Sequence, residues 1–291
     1  MNILITGIGG PAGLAVVKCL RASHHIVGVD MNSEAPLKCR THRFYTVPPG
    51  QDSAFIDALL KISRDEKINL MIPTVDEELL PIASDAGRFR NEGIQLFISP
   101  PQTIETCQDK YAAFLEFSAR SIPTVRTCLP SKLGEANLSP PLLVKPRVGR
   151  GGRNITILES PSMIEKLGVG DSFIIQEFAP GVDYDGVALI MNNELAELRL
   201  LRKTVLEHGN YGNALETAET FDEDVLTLLR KIIDSFSLDG PVDIDARRMT
   251  DGKPVALEIN PRAGAHVHKA SSIIKRLLTG KRDTRNAIKE A

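Results

Sequence analysis

The stretch Val255-Ala256-Leu257-Glu258-Ile259-Asn260-Pro261-Arg262 decides how the rest of this sequence is interpreted. It has the pattern of a short apolar strand that ends in a carboxylate, an amide oxygen and a guanidinium at alternate positions. Because side chains two residues apart on a strand share a face, Glu258, Asn260 and Arg262 are expected to point into one pocket. Two oxygen ligands beside a cation suit Mg²⁺ bound to an anionic phosphate.

A second candidate metal ligand lies upstream, in Val242-Asp243-Ile244-Asp245-Ala246. Between the two runs, Thr250-Asp251-Gly252-Lys253 has the composition of a hairpin turn. The hairpin is predicted to bring Asp245 beside Glu258.

The composition narrows the classes of protein to consider. A chain of 291 residues can form two compact domains, and a net charge of −2 makes nucleic acid an unexpected partner. No apolar run approaches the ~18–20 residues that cross a bilayer, and the N-terminus lacks the basic segment of a signal peptide. The four cysteines have no CxxC spacing, so we expect reduced thiols in a cytoplasmic protein without a membrane partner.

The first hundred residues and the remainder follow different patterns. Alternating apolar runs and helical segments predict an α/β unit with a parallel sheet, with strands at 3–5, 26–29, 70–72 and 96–98 and helices at 12–21, 53–64 and 76–90. From residue 142, short strands and Gly-rich turns predict an α+β unit, with strands at 142–145, 155–158, 173–176, 187–191, 195–200, 242–247 and 255–259. Helices are expected at 162–167 and 222–236, and a turn at Asn192-Asn193.

A glycine-rich turn follows the first strand: Gly7-Ile8-Gly9-Gly10-Pro11-Ala12-Gly13, with Asp30 at the end of the second strand. One interpretation is an NAD(P) site, with pyrophosphate on the glycine backbone and Asp30 on a ribose hydroxyl. The other is a βαβ turn that needs small residues and binds no nucleotide. The second is favoured because the rest of the chain offers a different nucleotide site.

A second glycine-rich loop follows Lys145. Gly149, Gly151 and Gly152 would let backbone N–H groups close over a phosphate chain, while Lys145 holds phosphate oxygens. The alternative is a solvated basic hairpin turn; with Glu258 and Asn260 downstream, phosphate binding is favoured.

The strand at 173–176 continues into Gln176-Glu177-Phe178-Ala179, whose backbone edge could meet an adenine, and Asp183 could then reach ribose hydroxyls. Taken alone, such a segment is more often simply the end of a strand.

Taken in order, these segments resemble the ATP-grasp superfamily, and most closely its carbamoyl-phosphate-synthase and biotin-carboxylase-like branch. The resemblance covers almost the whole chain and rests on residues 7–13, Pro73-Thr74-Val75-Asp76-Glu77-Glu78-Leu79, Asp109-Lys110, Ile122-Pro123-Thr124, Lys145 with its glycine loop, Gln176-Glu177-Phe178, and Glu258-Ile259-Asn260-Pro261-Arg262. It implies a Rossmann-like pre-ATP-grasp domain at 1–100 and an ATP-grasp domain at 101–291, with a small mobile lid subdomain at about 121–178.

The resemblance also implies a role for each matching residue. Lys110 and Lys145 would hold ATP phosphates under the Gly149, Gly151 and Gly152 lid; Gln176, Glu177, Phe178 and Ala179 would meet adenine and Asp183 the ribose; Asp245, Glu258 and Asn260 would bind Mg²⁺ or Mn²⁺. Asp243 is an alternative to Asp245. Arg262 would act with Lys145 in catalysis, facing the transferred phosphoryl group or the substrate carboxylate. Arg199 or Arg202 would clamp that carboxylate, unless the strand simply has a solvated basic face.

The expected chemistry is ATP-dependent joining of a small carboxylate to an amine through an acyl phosphate, with release of ADP and phosphate. Since residues 263–291 are all that follow Arg262, we expect a compact ligase, which could form a homodimer, rather than a bicarbonate-phosphorylating enzyme. The rival hypotheses are an NAD(P)-dependent oxidoreductase that uses residues 7–13 and a non-catalytic nucleotide-binding regulator.

Overall fold

The structure is a computed structural model that describes residues 1–37, 39–149, 151–152, 154–160, 163, 167–191 and 194–279. The predicted turn at Asn192-Asn193 and most of the predicted helix at 162–167 lie outside these residues. Within them, no helix combines the length and the apolar character that crossing a membrane requires.

The N-terminal unit is a five-stranded parallel sheet with the order β3-β2-β1-β4-β5. Its strands are β1 (Asn2–Ile5), β2 (His25–Asp30), β3 (Arg43–Thr46), β4 (Leu70–Ile72) and β5 (Gln95–Leu96). The helices are α1 (Pro11–Leu20), α2 (Phe55–Asp65), α3 (Asp76–Ser84) and α4 (Ala86–Asn91). Ile3 and Ile5 pack on one side of the sheet and Leu4 on the other, because successive side chains of a strand alternate.

Two features of this unit differ from the sequence prediction. The single helix expected at 76–90 is two helices, α3 and α4, which part at Asp85; Pro81 lies inside α3. β3 was not predicted, because it is an edge strand whose four residues are exposed or half-buried and carry no apolar run.

The next sheet is four-stranded and antiparallel, with the order β6-β9-β7-β8. It consists of β6 (Thr127–Cys128), β7 (Leu142–Pro146), β8 (Thr156–Leu158) and β9 (Phe173–Glu177), and follows helices α5 (Pro101–Gln108) and α6 (Lys110–Ala119). This lid sheet has its own small apolar core, which includes Leu142, Val144 and Ile175.

The third sheet has five antiparallel strands in the order β12-β11-β10-β13-β14. Its elements are β10 (Asp183–Met191), β11 (Glu194–Leu206), β12 (Ala214–Glu219), α7 (Glu223–Ser235), β13 (Gly240–Arg248), β14 (Pro254–Asn260) and α8 (Ser271–Thr279). β12 was missed because its sequence is mostly polar and exposed.

The two faces of this central sheet have different partners. Tyr184, Ala188 and Ile244 pack against α7 through Leu229 and its neighbours. Val187 and Leu189, on the opposite face, share a core with β1 and α1 of the N-terminal unit and with α8. The polar part of this second face lies at the Asp183 end of β10, where the candidate site is built.

Candidate active site

The candidate metal ligands lie across the β13–β14 hairpin. Asp245 is directly opposite Glu258, and Asp243 is directly opposite Asn260. Residues opposite each other in an antiparallel pair project to the same face, with Cβ atoms about 4.5–5.5 Å apart. A register shift between Asp245 and Ala246 ends this regular pairing on the side of the turn. The hairpin therefore brings together the two carboxylates and the amide that the sequence grouped.

The donor set fits a hard divalent cation. Asp245 Oδ2 lies 3.5 Å from Asn260 Nδ2, and oxygen atoms of carboxylates and amides are the ligands that Mg²⁺ takes in proteins. The set contains two acids and one amide. No group of three or more His, Cys, Asp or Glu side chains that could hold a metal ion occurs among the residues with assigned positions.

Lys110 connects this hairpin to the lid. It is the first residue of α6, and the Asp109 carboxylate caps that helix by accepting hydrogen bonds from the N–H groups of Tyr111 and Ala112. Lys110 Nζ lies 3.4 Å from Glu258 Oε2 and donates to the Gly149 carbonyl oxygen at 2.5 Å. The helix start thus fixes an ammonium between a candidate metal ligand and the glycine loop.

Lys145 is the second ammonium of the site and lies on β7. Burial lowers the pKa of Lys145 to about 8, even though the Glu258 carboxylate opposes the shift. Within the described parts of the chain, its ammonium has no hydrogen bond or ion pair. A desolvated cation that makes no hydrogen bond or ion pair with the described residues is a good binding site for an anionic ligand.

The pKa values of the Glu258 and Asp245 carboxylates shift in opposite directions. Burial alone would raise the pKa of Glu258, but Lys110 and Lys145 outweigh it and lower the pKa well below the usual range. Burial raises the pKa of Asp245, with Lys203 opposing the shift and Glu258 adding to it. The pKa values of the two facing carboxylates are therefore shifted in opposite directions, that of Glu258 downwards and that of Asp245 upwards.

The glycine loop after β7 is open. Gly151 has φ +70°, and a Cβ placed there would have no heavy atom of the described, non-adjacent residues within 4 Å; Gly149 has φ +148°. Both values lie where side-chain-bearing residues are rare. The loop contacts the β11–β12 connection, where Asn213 Nδ2 donates to the Gly151 carbonyl at 3.0 Å and Gly212 approaches Gly152.

The predicted adenine segment already makes several contacts inside the lid sheet. Gln176 is buried and donates to Thr127 Oγ1 at 2.9 Å. The Glu177 carboxylate pairs with Arg126. The backbone N–H group of Glu177 donates to the Arg126 carbonyl, and that of Phe178 donates to the Pro141 carbonyl. The side chains of Gln176 and Glu177 thus hold the lid sheet together, and Ala179 follows at its buried end.

Arg262 is paired with the N-terminal unit. Its Nε and Nη2 lie 2.9 and 3.1 Å from the two carboxylate oxygens of Asp76, in a bidentate ion pair. Asp76 is the first residue of α3; no side chain caps that helix, and the Asp76 carboxylate binds Arg262 instead. Arg262 Nη2 also lies 3.4 Å from Asn260 Oδ1, so the guanidinium remains next to the candidate metal ligands.

The two arginines proposed as substrate clamps are not brought together with this cluster. Arg199 pairs with Glu197 and Glu219 at an exposed position. Arg202 is opposite Tyr184, whose side chain belongs to the α7 face. It therefore projects away from the carboxylates, because residues one apart on a strand face opposite ways.

Sequence reasoning missed two charged groups of the site, Lys203 and Arg247. Lys203 Nζ lies 2.5 Å from Asp245 Oδ1 and 3.1 Å from Asp183 Oδ1. The buried Arg247 donates to backbone carbonyls of Gly181 and Asn210, and His266 Nδ1 lies 3.1 Å from the buried Asp185. The alternation of acids at Asp183 and Asp185, and at Asp243 and Asp245, was the available signal that one sheet face is charged.

The N-terminal glycine turn has a different character. Asp30 Oδ2 accepts a hydrogen bond from the Gly9 N–H at 2.9 Å, and its Oδ1 accepts from the Asn32 N–H. A Cβ on Gly13 would lie 2.4 Å from the Gly7 carbonyl oxygen. The acidic residue expected to meet a ribose is thus bound within the turn, so the structure does not support the NAD(P)-dependent oxidoreductase.

Comparisons with known proteins agree with this geometry. Residues 3–97 match the family described as PylC-like, N-terminal domain, and residues 107–266 match the ATP-grasp domain. A search of curated proteins found no match.

Solved structures share the fold at low sequence identity. An L-amino acid ligase from Bacillus licheniformis is 17% identical with a TM-score of 0.66, over 92% of this chain and 68% of that one. N5-carboxyaminoimidazole synthetase from Staphylococcus aureus is 14% identical with a TM-score of 0.71, over 96% and 77%. The biotin carboxylase domain of the Hydrogenobacter thermophilus 2-oxoglutarate carboxylase, solved as a dimer with MgADP, ADP and bicarbonate, is 13% identical with a TM-score of 0.69, over 97% and 70%.

The family matches together span both the parallel N-terminal sheet and the antiparallel sheets that follow it, and the second match alone covers more than half of the sequence. The resemblance expected from the sequence motifs is confirmed: this chain belongs to the ATP-grasp family and carries a PylC-like N-terminal domain.

Proposed function

We propose that this protein is an ATP- and Mg²⁺-dependent ligase that activates a small carboxylate as an acyl phosphate and joins it to an amine, releasing ADP and phosphate. The observation that carries the proposal is the charge arrangement around Glu258. Lys110 lies 3.4 Å from its carboxylate, Lys145 interacts with it electrostatically, and Asp245 stands opposite it across the hairpin. This arrangement offers cations to phosphate oxygens and oxygen ligands to a metal in one place.

The chemistry requires such a site because both reactants of the first step are anions. Lys110 and Lys145 would hold phosphate oxygens, and Asp245, Glu258 and Asn260 would hold Mg²⁺ or Mn²⁺, which would offset the charge that develops during transfer. Arg262, fixed by Asp76 next to Asn260, would orient the carboxylate or the transferred group. The lid loop around Gly151 would exclude water from the activated acid.

The nucleotide would lie between the lid sheet and the central sheet. We assign residues 176–179 to the adenine edge and Asp183 to the ribose. Since the Gln176 side chain donates to Thr127, its adenine contact would use its remaining hydrogen-bonding atoms. We also place the domain division near residue 100, with the lid subdomain at about 121–178.

The test is to screen nucleotide turnover against amino acids and other small carboxylic acids, with and without amines. ADP and phosphate should form only when an acid is present, and an amide should accumulate when an amine is added. Release of AMP would reject the mechanism, and bicarbonate-dependent ADP release without an organic acid would replace it with a carboxylase-like one. Glu258→Gln should lower turnover by orders of magnitude while its thermal unfolding stays close to that of the wild type.

A further inference from the structure

Lys203 connects two parts of the candidate site that have separate tasks. It lies in β11, and its ammonium is 2.5 Å from Asp245, a candidate metal ligand, and 3.1 Å from Asp183, the candidate ribose ligand. Only 11% of the Lys203 side chain is exposed. One buried ammonium therefore occupies carboxylate oxygens that the metal and the nucleotide would each require.

The alternation of side chains along β11 explains why Lys203 reaches these acids while Arg202 does not. β10 lies between β11 and β13, and Asp185 is opposite both Leu201 and Asp245. Lys203 follows Leu201 by two residues and so projects to the same face, whereas Arg202 projects to the face of α7. The long methylene stem of lysine lets the ammonium cross from β11 to Asp245 on β13.

The position of Lys203 matters because of the charges that surround it. The polar face gathers five acids and four other cations: Asp183, Asp185, Asp243, Asp245 and Glu258, with Lys110, Lys145, Arg247 and Arg262. Buried carboxylates repel one another unless cations neutralise them. Among the described residues, Lys203 is the cation within 4 Å of both Asp183 and Asp245, so it offsets the charge of these two carboxylates.

We propose that Lys203 is a tethered counter-ion that keeps the metal site closed to free divalent cations, so that the metal enters together with the nucleotide. The proposal rests on the ligase function proposed above and adds the order in which its ligands bind. A metal at Asp245 would have to share that carboxylate with an ammonium 2.5 Å away, and the two cations repel each other.

Nucleotide would remove this obstacle. Its phosphates supply anionic oxygens to which the Lys203 ammonium can move, because a lysine stem is flexible and its ammonium makes non-directional contacts. The same movement frees Asp183 for the ribose and Asp245 for the metal. Nucleotide and metal would therefore strengthen each other's binding, and linkage requires that effect to be reciprocal.

The primary experiment is calorimetric titration of the full-length protein with Mn²⁺ in the absence of nucleotide, at pH 8. Lys203→Met and Lys203→Gln should each bind Mn²⁺ about tenfold or more tightly than the wild type, since they remove the competing charge. Lys203→Arg keeps the charge and should bind as weakly as the wild type. Arg202→Met, on the opposite face of the same strand, is the matched control and should have no effect.

The wild type provides a second measurement that needs no variant. Mn²⁺ affinity with saturating ADP should exceed Mn²⁺ affinity without ADP by about tenfold or more, and this gain should shrink in Lys203→Met. The proposal is overturned if Lys203→Met binds Mn²⁺ alone no more tightly than the wild type, or if ADP and Mn²⁺ bind the wild type independently. Absence of any ADP binding by the wild type would instead reject the ligase function on which the proposal rests.

Discussion

The two glycine-rich loops of this protein each follow a strand and look alike in sequence. Glycine is required in each of them for a different physical reason. In the N-terminal turn, Gly13 is needed because a Cβ would lie 2.4 Å from the Gly7 carbonyl oxygen. In the lid loop, Gly151 has open space around it and is needed for its positive φ of +70°. The first loop is filled by its own chain, with Asp30 bound to Gly9, whereas the second stands open beside Lys145. A glycine pattern by itself therefore does not distinguish a packing turn from a ligand loop.

Removing the Lys145 ammonium is the strongest test of this comparison. If the second loop serves the nucleotide, Lys145→Met should lower the rate of ADP release by about 10²–10³-fold or more, because a buried cation that faces the phosphates is lost. Its unfolding temperature should stay near that of the wild type. Lys132→Met, at an exposed lysine of the same lid that pairs with Glu135, should leave both quantities unchanged. Equal rates for both variants would contradict the assignment.

A substitution in the first loop is expected to lower the stability of the protein and to leave nucleotide binding unchanged. Gly13→Ala should lower the free energy of unfolding by about 1–3 kcal/mol, because the methyl group overlaps backbone atoms of Gly7 and Ile8. Chemical denaturation measures this change. Gly87→Ala, in α4 with no atom within 4 Å of the added methyl, should be neutral or stabilising by up to about 1 kcal/mol. Loss of nucleotide affinity in folded Gly13→Ala would mean that the first loop also binds nucleotide.

The pH dependence of ADP binding can sharpen the role assigned to Lys145. With its pKa lowered to about 8 by burial, the ammonium is charged below that pH and loses its proton above it. ADP affinity without metal should therefore fall by about tenfold between pH 8 and pH 9.5. Above its pKa, Lys145 must first take up a proton from solution before its ammonium can bind the phosphates. Lys145→Arg stays charged throughout and should flatten the profile, as measured by calorimetry. A fall of the same size in Lys145→Arg would assign the titration to another group.

The smallest expected effect concerns the backbone of the lid loop. Gly151→Ala meets no steric clash but must adopt a left-handed conformation, at a local cost of about 1–2 kcal/mol. We expect a several-fold decrease in kcat/KM for ATP, with little change in thermal unfolding because the loop is peripheral to the apolar cores. Gly134→Ala, also in open space but without a positive φ, is the control and should resemble the wild type in both measurements.

Local sequence patterns predicted the frame of the protein well where one face of a strand or helix is apolar. The strands around Ile3, Leu70 and Val144 and the helix α7 follow from such patterns. β3 and β12 were not predicted, because edge strands with polar residues have no such signal. The break between α3 and α4 escaped because the apolar pattern continues through Asp85.

In the candidate site, too, some contacts follow from local sequence patterns and others do not. The sequence by itself determined that Glu258 and Asn260 share a face and that a hairpin brings Asp243 and Asp245 beside them, because a period of two and a short turn are local rules. Which of the two aspartates lies opposite Glu258 stayed open until the strand register, with its shift after Asp245, set Asp245 there. Only the tertiary structure decided that Arg262 pairs with Asp76, which is 186 positions away, and that Lys203 reaches Asp245 and Asp183 from a third strand. Such pairings depend on sheet order and on the packing of one unit against another, and no spacing along the chain encodes them.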